Sequence, residues 1–336
     1  MIREYLKLAR SFNAVLTALS PPLGAIAMEQ YNIFILLILF LIGFLGHTFG
    51  FVFNDIRDYK IDLTSKEISD RPLISGTISM KNAWIFALSS LILAFVLAFF
   101  IAYNSQIYYP ILVLAISAAF TTIYDLVGKK FVGSDIFLPI GVFFFVLYGA
   151  ATTVDNISKI STLAWIVCFL GFLQVLFMAT ICGSMKDIEN DYNRGAKTIA
   201  IRLGGRVTNG RLIISSSFKA LAYGIQLVDL IVVFLPYLIV WNIYNLTIFQ
   251  FLVMSLIAFV GIIMYYFSFK LVTLKRFERD KVRKFIGLHY ITNFMIVPIM
   301  LMSLNPWAGV IIIFPLIGFF FSNIILHGTL LQPKTM

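Results

Sequence analysis

Ten apolar runs, at residues 12–28, 33–53, 82–103, 107–124, 131–153, 161–183, 212–236, 246–271, 287–304 and 307–328, fill most of this 336-residue chain. Each approaches the length at which a helix crosses a bilayer, about 20 residues. Hydrophobic residues make up 60% of the chain and charged ones 12%, too few polar groups to cover a water-soluble domain of this size, so the bilayer is the solvent. The expected fold is all-α, a polytopic transmembrane bundle of nine or ten helices. It forms one integral-membrane domain over residues 1–336, with a core at about 5–304 and an extra C-terminal span at 305–336. Pro21-Pro22 should break or kink the first run late. Pro139, Pro236, Pro298 and Pro315 are tolerable where neighbouring helices satisfy the freed carbonyls.

The charges sort by side. If the chain crosses the membrane at each run, 24 of the 26 Lys and Arg fall on one face, leaving Lys159 on the other and Lys219 just inside the seventh run. This asymmetry places the N-terminus and the long polar loops in the cytoplasm of a cell membrane. It also accounts for the net charge of +10 without a nucleic-acid partner. The connections on the opposite face are short and nearly uncharged, with Tyr103, Tyr108, Tyr109, Trp241 and Trp307 near them as interfacial anchors. The basic N-terminal decapeptide has no small-residue cleavage site after it and reads as a cytoplasmic flank. Cys168 and Cys182 lie in one apolar run and show neither a disulfide nor a zinc pattern.

Two loops, 54–81 and 184–211, hold 8 of the 16 acidic residues. They follow the second and sixth runs, a spacing that hints at a duplicated four-helix unit. If the second helix continues through Asn54-Asp55-Ile56-Arg57-Asp58-Tyr59-Lys60-Ile61-Asp62, then Asn54, Asp58 and Asp62 stack on one face at i, i+4 and i+8 and repel one another without a cation. Asp187 and Asp191 repeat the i, i+4 spacing. One acidic helix end is ordinarily a solvated face. Two at equivalent places on one membrane edge form hard-oxygen clusters suited to Mg²⁺, which keeps waters and bridges to substrate phosphates. Arg71, Lys129, Lys197 and Arg202, on the same side, could neutralise a diphosphate, whereas Arg194, Arg206 and Arg211 serve equally as contacts to anionic lipid. Inside the apolar runs, Gln174, Asp135 and Asp229 must face the interior or an interface. His47, seven residues before Asn54, is expected to be neutral and bonded to a neighbouring helix.

Asn54-Asp55-x-x-Asp58-x-x-x-Asp62 with Asp70-Arg71-Pro72-Leu73-x-Ser75-Gly76-x-Ile78-Ser79 resembles the first aspartate-rich motif of UbiA-type intramembrane prenyltransferases. Asp187-x-x-x-Asp191 with Gly195-x-Lys197-Thr198-Ile199 and Arg202-Leu203-Gly204 resembles the second. Arg10-x-x-Asn13, and Tyr124 with Lys129, are similar to further family features. The resemblance runs from about residue 5 to residue 304. It implies a central cavity capped by both motif loops and open sideways to lipid, and two Mg²⁺ held by Asn54, Asp58, Asp62, Asp187 and Asp191, directly or through water. Arg10, Asn13, Arg71, Tyr124, Lys129 and Lys197 would bind substrate, and Asn13, Asp58 and Asp191 would be catalytic. The implied reaction ionises a prenyl diphosphate, such as geranyl or geranylgeranyl diphosphate, to an allylic cation that a lipophilic acceptor captures. The style of the second motif is similar to that of enzymes acting on a glycerol-phosphate ether lipid or a pigment, and aromatic quinone precursors stay open. Ser184 stands where many members carry a further Asp, and a span at 307–328 would be a tenth where nine are usual.

Two other readings compete. A secondary transporter also carries polar residues and repeats, but it needs charge near the midplane, and these acids gather at one edge. A lipid-phosphate hydrolase needs a nucleophile or paired histidines at the phosphates, and neither acidic loop contains a histidine.

Overall fold

The computed structural model describes residues 1–63 and 68–330, so Lys66 and Lys334 of the charge tally lie outside it. All ten apolar runs are helical. The first is in pieces: α1 (Ile2–Leu8), α2 (Ser11–Ala18) and α3 (Ser20–Ile26). As expected, Pro21-Pro22 mark a break, and they sit in the first turn of α3, where a missing N–H costs nothing. Then follow α4 (Ile33–Asp62), α5 (Met80–Ser105), α6 (Tyr109–Val127), α7 (Phe137–Ala151) and α8 (Thr162–Phe177). A π-helical turn, Met178–Gly183, joins α8 to α9 (Ser184–Asn193). After α10 (Ile199–Arg202) come α11 (Ser216–Ile239), α12 (Ile248–Val272), α13 (Arg279–Leu301) and α14 (Ile313–His327).

Nine stretches among the described residues are helical, long and apolar enough to span a membrane. The broken α2–α3 segment is not among the nine, whereas Pro306–His327, the extra C-terminal stretch, is. The chain is therefore an integral, multi-pass membrane protein. Side-chain caps start the long helices: Ser79 on α5, Ser161 on α8, Ser215 on α11, and a Thr247–Gln250 capping box on α12.

The core lies where α3, α4, α7 and α8 meet. Gly149 of α7 lets that helix close on α3, because a Cβ there would stand 1.8 Å from the Pro21 carbonyl oxygen. α14 packs across α2 and α13: the Phe319 ring, fully buried, contacts both Phe12 and Tyr290. One element departs from the all-helical expectation, a short antiparallel hairpin of β1 (Arg206–Thr208) and β2 (Arg211–Ile213). Its turn, Asn209-Gly210, has positive φ at both residues, the pairing that a tight two-residue hairpin requires.

α4 runs unbroken for 30 residues, about 45 Å at 1.5 Å per residue, longer than the roughly 30 Å hydrocarbon core. Its last turns therefore emerge from the bilayer carrying Asn54, Asp58 and Asp62. The α8–π–α9 rod does the same for Asp187 and Asp191, so both motifs are helix ends, not loops.

Candidate active site

Between these two helix ends lies a cavity of about 590 Å³. Asn54, Asp58, Asp62, Asp187 and Asp191 line its polar end, as do Arg10, Asn13, Arg71, Tyr124 and Lys129. Two sequence-predicted site residues are left out, Lys197 and Arg202, whose side chains are exposed and not part of the lining. Lys197 is the nearer to the site. Its backbone has a use instead, since the Lys197 N–H donates to the Lys129 carbonyl at 3.2 Å.

The acids do not stand bare. Arg10 donates to Asp55 at 2.6 Å, and Arg71 reaches both Asp55 (3.4 Å) and Asp62 (2.5 Å). Asn54 donates to Asp125 at 3.1 Å. The Lys129 ammonium spans Asp187 at 3.2 Å and Asp191 at 2.8 Å, and Arg279 lies 3.7 Å from Asp187. The repulsion expected within the Asn54–Asp58–Asp62 ridge is thus relieved partly by the protein's own cations. Asp58 alone of that ridge makes no hydrogen bond or ion pair among the described residues.

Two of these cations sit on left-handed backbone, φ 47° at Arg10 and 62° at Lys129. Such residues persist only where the surroundings over-determine them. Arg10 falls at the break between α1 and α2 and is fixed by Asp55 and by the Phe51 ring, 4.8 Å from the guanidinium carbon. Lys129 is held at both ends of its residue, its N–H donating to Ser134 Oγ at 3.0 Å and its carbonyl accepting from Lys197. Burial lowers the Lys129 pKa, and Asp187 and Asp191 more than reverse this, leaving it raised and the ammonium firmly charged. Burial raises the Asp62 pKa above the ordinary carboxylate value. Arg71 pulls it back, and Asp55 and Asp187 push it up again.

Below the polar end the lining becomes apolar, with Ile42, Ala94, Leu114, Val142, Phe145 and Val175. On the α5 side, Leu91 and Phe95 belong both to this lining and to an outer groove shared with Ile92, Val96 and Phe99.

Several contributors escaped the sequence reading. Asp55 is buried and pairs with the two arginines, and Asp125 joins the first motif from α6. Lys186, Asn190, Arg194 and Arg279 also line the cavity. The π turn that sets the register of α9 had no sequence signal, whereas Asn209-Gly210 is a hairpin signature. His47 is buried beneath the site, 4.3 Å from the Phe51 ring and against the Ala9 and Arg10 backbone at the break between α1 and α2. Gln174, Asp135 and Asp229 are buried in the interior as expected.

The model of the UbiA prenyltransferase family matches residues 14–288. The chain belongs to that family. This UbiA-family chain is 27% identical over 209 residues to a digeranylgeranylglyceryl phosphate synthase of Methanobrevibacter smithii, covering 62% of this chain and 71% of that one. It is 28% identical over 204 residues to a 4-hydroxybenzoate octaprenyltransferase of Francisella tularensis, covering 57% and 66%. Among solved structures, an apo UbiA homologue from Aeropyrum pernix superposes with a TM-score of 0.67 at 17% identity over 86% of this chain and 97% of that one. A homologue from Archaeoglobus fulgidus, bound to GPP and Mg²⁺, gives 0.61 at 15% identity over 88% and 99%. Family membership makes this chain a prenyltransferase and sets the transporter and hydrolase readings aside.

The residues present suit a divalent ion by their chemistry. Among the described residues Asp58 makes no hydrogen bond or ion pair, and one oxygen each of Asp125 and Asp191 is buried without a partner. No three acidic or histidine side chains among the described residues already surround one point. Mg²⁺ takes one or two carboxylates, the remaining positions being filled by water and substrate phosphate.

Proposed function

We propose that this UbiA-family enzyme transfers a long prenyl chain from its diphosphate to a glycerol-phosphate ether lipid, at a site facing the cytoplasm. The observation that carries this reading is the single cavity itself. Its polar end is shared by both acidic motifs, and its apolar body descends from Asp58 to Ile42 along α4. Sixteen residues of helix make that body about 24 Å deep, room for a long tail but far more than a short one needs. Two Mg²⁺, one at Asn54, Asp58 and Asp62 and one at Asp187 and Asp191, would neutralise the diphosphate as it departs.

The protein supplies the rest. Lys129, Arg71 and Arg10 hold fixed positive charge around the polar end, so no reorganisation is needed as negative charge gathers on the leaving oxygen. The allylic C–O bond breaks, its electron pair leaves with the diphosphate, and the apolar walls keep water from the cation. Phe145 and Phe294, both in the lining, offer π-faces to it. Asn13 is buried with an unpartnered Oδ1, placed to accept a hydrogen bond from the acceptor hydroxyl, while Tyr124 closes the neighbouring wall. The acceptor oxygen attacks the prenyl carbon, and the released diphosphate takes the proton.

The glycerol-phosphate acceptor is supported by the names of the first relatives above and by the Asp-Ile-Glu-Asn-Asp and Lys-Thr-Ile segments. Leu91 and Phe95, shared with the outer groove, mark the side on which a lipid tail would enter. The test incubates purified protein with Mg²⁺, labelled C20 diphosphate, and either prenylglyceryl phosphate or 4-hydroxybenzoate. Labelled ether lipid is expected. Labelled hydroxybenzoate alone would replace the acceptor assignment.

A further inference from the structure

Three arginines suited to anionic lipid by sequence, Arg194, Arg206 and Arg211, part company in the structure. Arg194 lines the cavity, whereas Arg206 and Arg211 lie outside it on the β1–β2 hairpin. The segment after α12 extends that hairpin along β2: Leu212 donates its N–H to the Lys275 carbonyl and Phe277 donates to the Gly210 carbonyl, each at 3.0 Å. Arg211 and Arg276 stand opposite each other there as an antiparallel pair. Side chains alternate between the two faces of such a sheet. Val207 and Leu212 point inward, buried in one cluster with Ile188 of α9 and Ala200 of α10. The outward face carries Arg206 and Arg211, and Arg276 joins it as the partner of Arg211. All three arginines are exposed.

Like charges directly opposite on adjacent strands are destabilising, and no acid relieves this pair. None of the three makes an ion pair or side-chain hydrogen bond among the described residues. Glu278 and Asp280, the acids next along the chain, are engaged by Lys281 at 2.8 Å and Arg283 at 3.9 Å. The positive bias of one membrane side accounts for the number of basic residues in this region but not for their pairing on one face. The sheet also stands at the height of lipid phosphates. Arg211 comes five residues before the first of α11 and Arg276 four after the last of α12, and the nearby end of α12 exposes Tyr265, Tyr266 and Phe269, rings of the kind that settle at the interface. We propose that the outward face of Arg206, Arg211 and Arg276 binds the headgroup phosphates of anionic membrane lipid. A phosphate between Arg211 and Arg276 turns their repulsion into two attractions, and the inward face ties the bound lipid to Ile188, next to Asp187. None of these residues lines the cavity, so the inference does not depend on what the cavity binds.

The test titrates the full-length protein in neutral detergent with short-chain phosphatidylglycerol, with phosphatidylcholine of the same chains and with inorganic phosphate, following binding by thermophoresis. Phosphatidylglycerol is expected to bind more tightly than either. Arg211→Gln combined with Arg276→Gln should weaken it by about 30-fold, about fivefold for each charge near an anionic headgroup. Arg57→Gln combined with Lys60→Gln, exposed at the end of α4, should leave it nearly unchanged. Thermal unfolding supplies a second readout with opposite signs. Arg276→Gln should melt above wild type in neutral detergent, where a like-charge pair is removed, and below it in saturating phosphatidylglycerol, which stabilises the state that binds it. The proposal is overturned if the Arg211/Arg276 variant binds phosphatidylglycerol as wild type does, or if the Arg57/Lys60 variant loses as much affinity, the mark of diffuse surface charge. Inorganic phosphate binding as tightly as the lipid would overturn it in favour of a free-anion site, and an Arg276→Gln protein melting below wild type in both conditions would show a structural arginine instead.

Discussion

Lys197 donates its main-chain N–H to the carbonyl of Lys129 at 3.2 Å, so the segment after the second motif braces the left-handed turn whose side chain spans Asp187 and Asp191. A lysine whose backbone does this work can lose its side chain. Lys197→Ala is expected to keep prenyl transfer within about threefold, as for an ordinary surface substitution. Lys129→Ala should lose two to three orders of magnitude, about the cost of removing one donor to developing charge. Turnover of labelled C20 diphosphate measures both, and equal losses would contradict this division of labour.

Asp58 and Asp191 come from different helix ends, and the proposed metal clamp needs both. Asp58→Ala and Asp191→Ala should each reduce turnover by orders of magnitude while leaving the melting temperature close to wild type. EDTA should abolish diphosphate release from the wild type. Near-normal transfer by either variant would remove the clamp.

Arg10 is a structural cation as well as a site residue. Asp55 is buried and accepts from it at 2.6 Å, with Arg71 as a weaker second partner. Arg10→Ala leaves that carboxylate under-compensated and is expected to destabilise the bundle by about 3 kcal/mol. Thermal unfolding in detergent would show it, and adding Asp55→Asn should restore most of the loss.

In the proposed reading, the apolar floor of the cavity sets chain length. Each additional buried CH₂ is worth about 0.8 kcal/mol before ordering costs, so affinity for allylic diphosphates should climb from C10 to C20. Ala94 is buried in the lining, and Ala94→Phe should shorten the usable depth, leaving C10 binding intact and weakening C20. Binding of C10 and C20 with equal strength by the wild type would count against a long-chain substrate.

Orientation can be read by labelling. Lys130 lies beside the site and Ser158 on the opposite face, both exposed, and the two native cysteines are buried. In intact cells, an impermeant thiol reagent should label Ser158→Cys and not Lys130→Cys. The reverse pattern would invert the topology proposed here.

Local order in the chain determined a large part of this protein. Hydrophobic run length depends on the bilayer's thickness alone, so ten apolar helical runs, nine of them long enough to span, are readable without knowing any contact. The ridge of Asn54, Asp58 and Asp62 follows from helical period, which needs only the assumption that α4 continues past the lipid, and it does. What the chain order could not show is which charges cancel. Arg10 and Asp55 are 45 residues apart, and Lys129 and Asp191 62 apart, so their pairing exists only once α2 meets α4 and the α6–α7 turn meets α9. The π turn before Ser184 likewise depends on packing, because one added residue per turn rotates every later side chain, deciding that Lys186 as well as Asp187 lines the cavity. Lys197 has a site motif's sequence and a scaffold's position, since the fold calls on its N–H and turns its ammonium outward. Spacing along one helix is a covalent property and survives in sequence, whereas charge balance in a cavity is a property of several helices together.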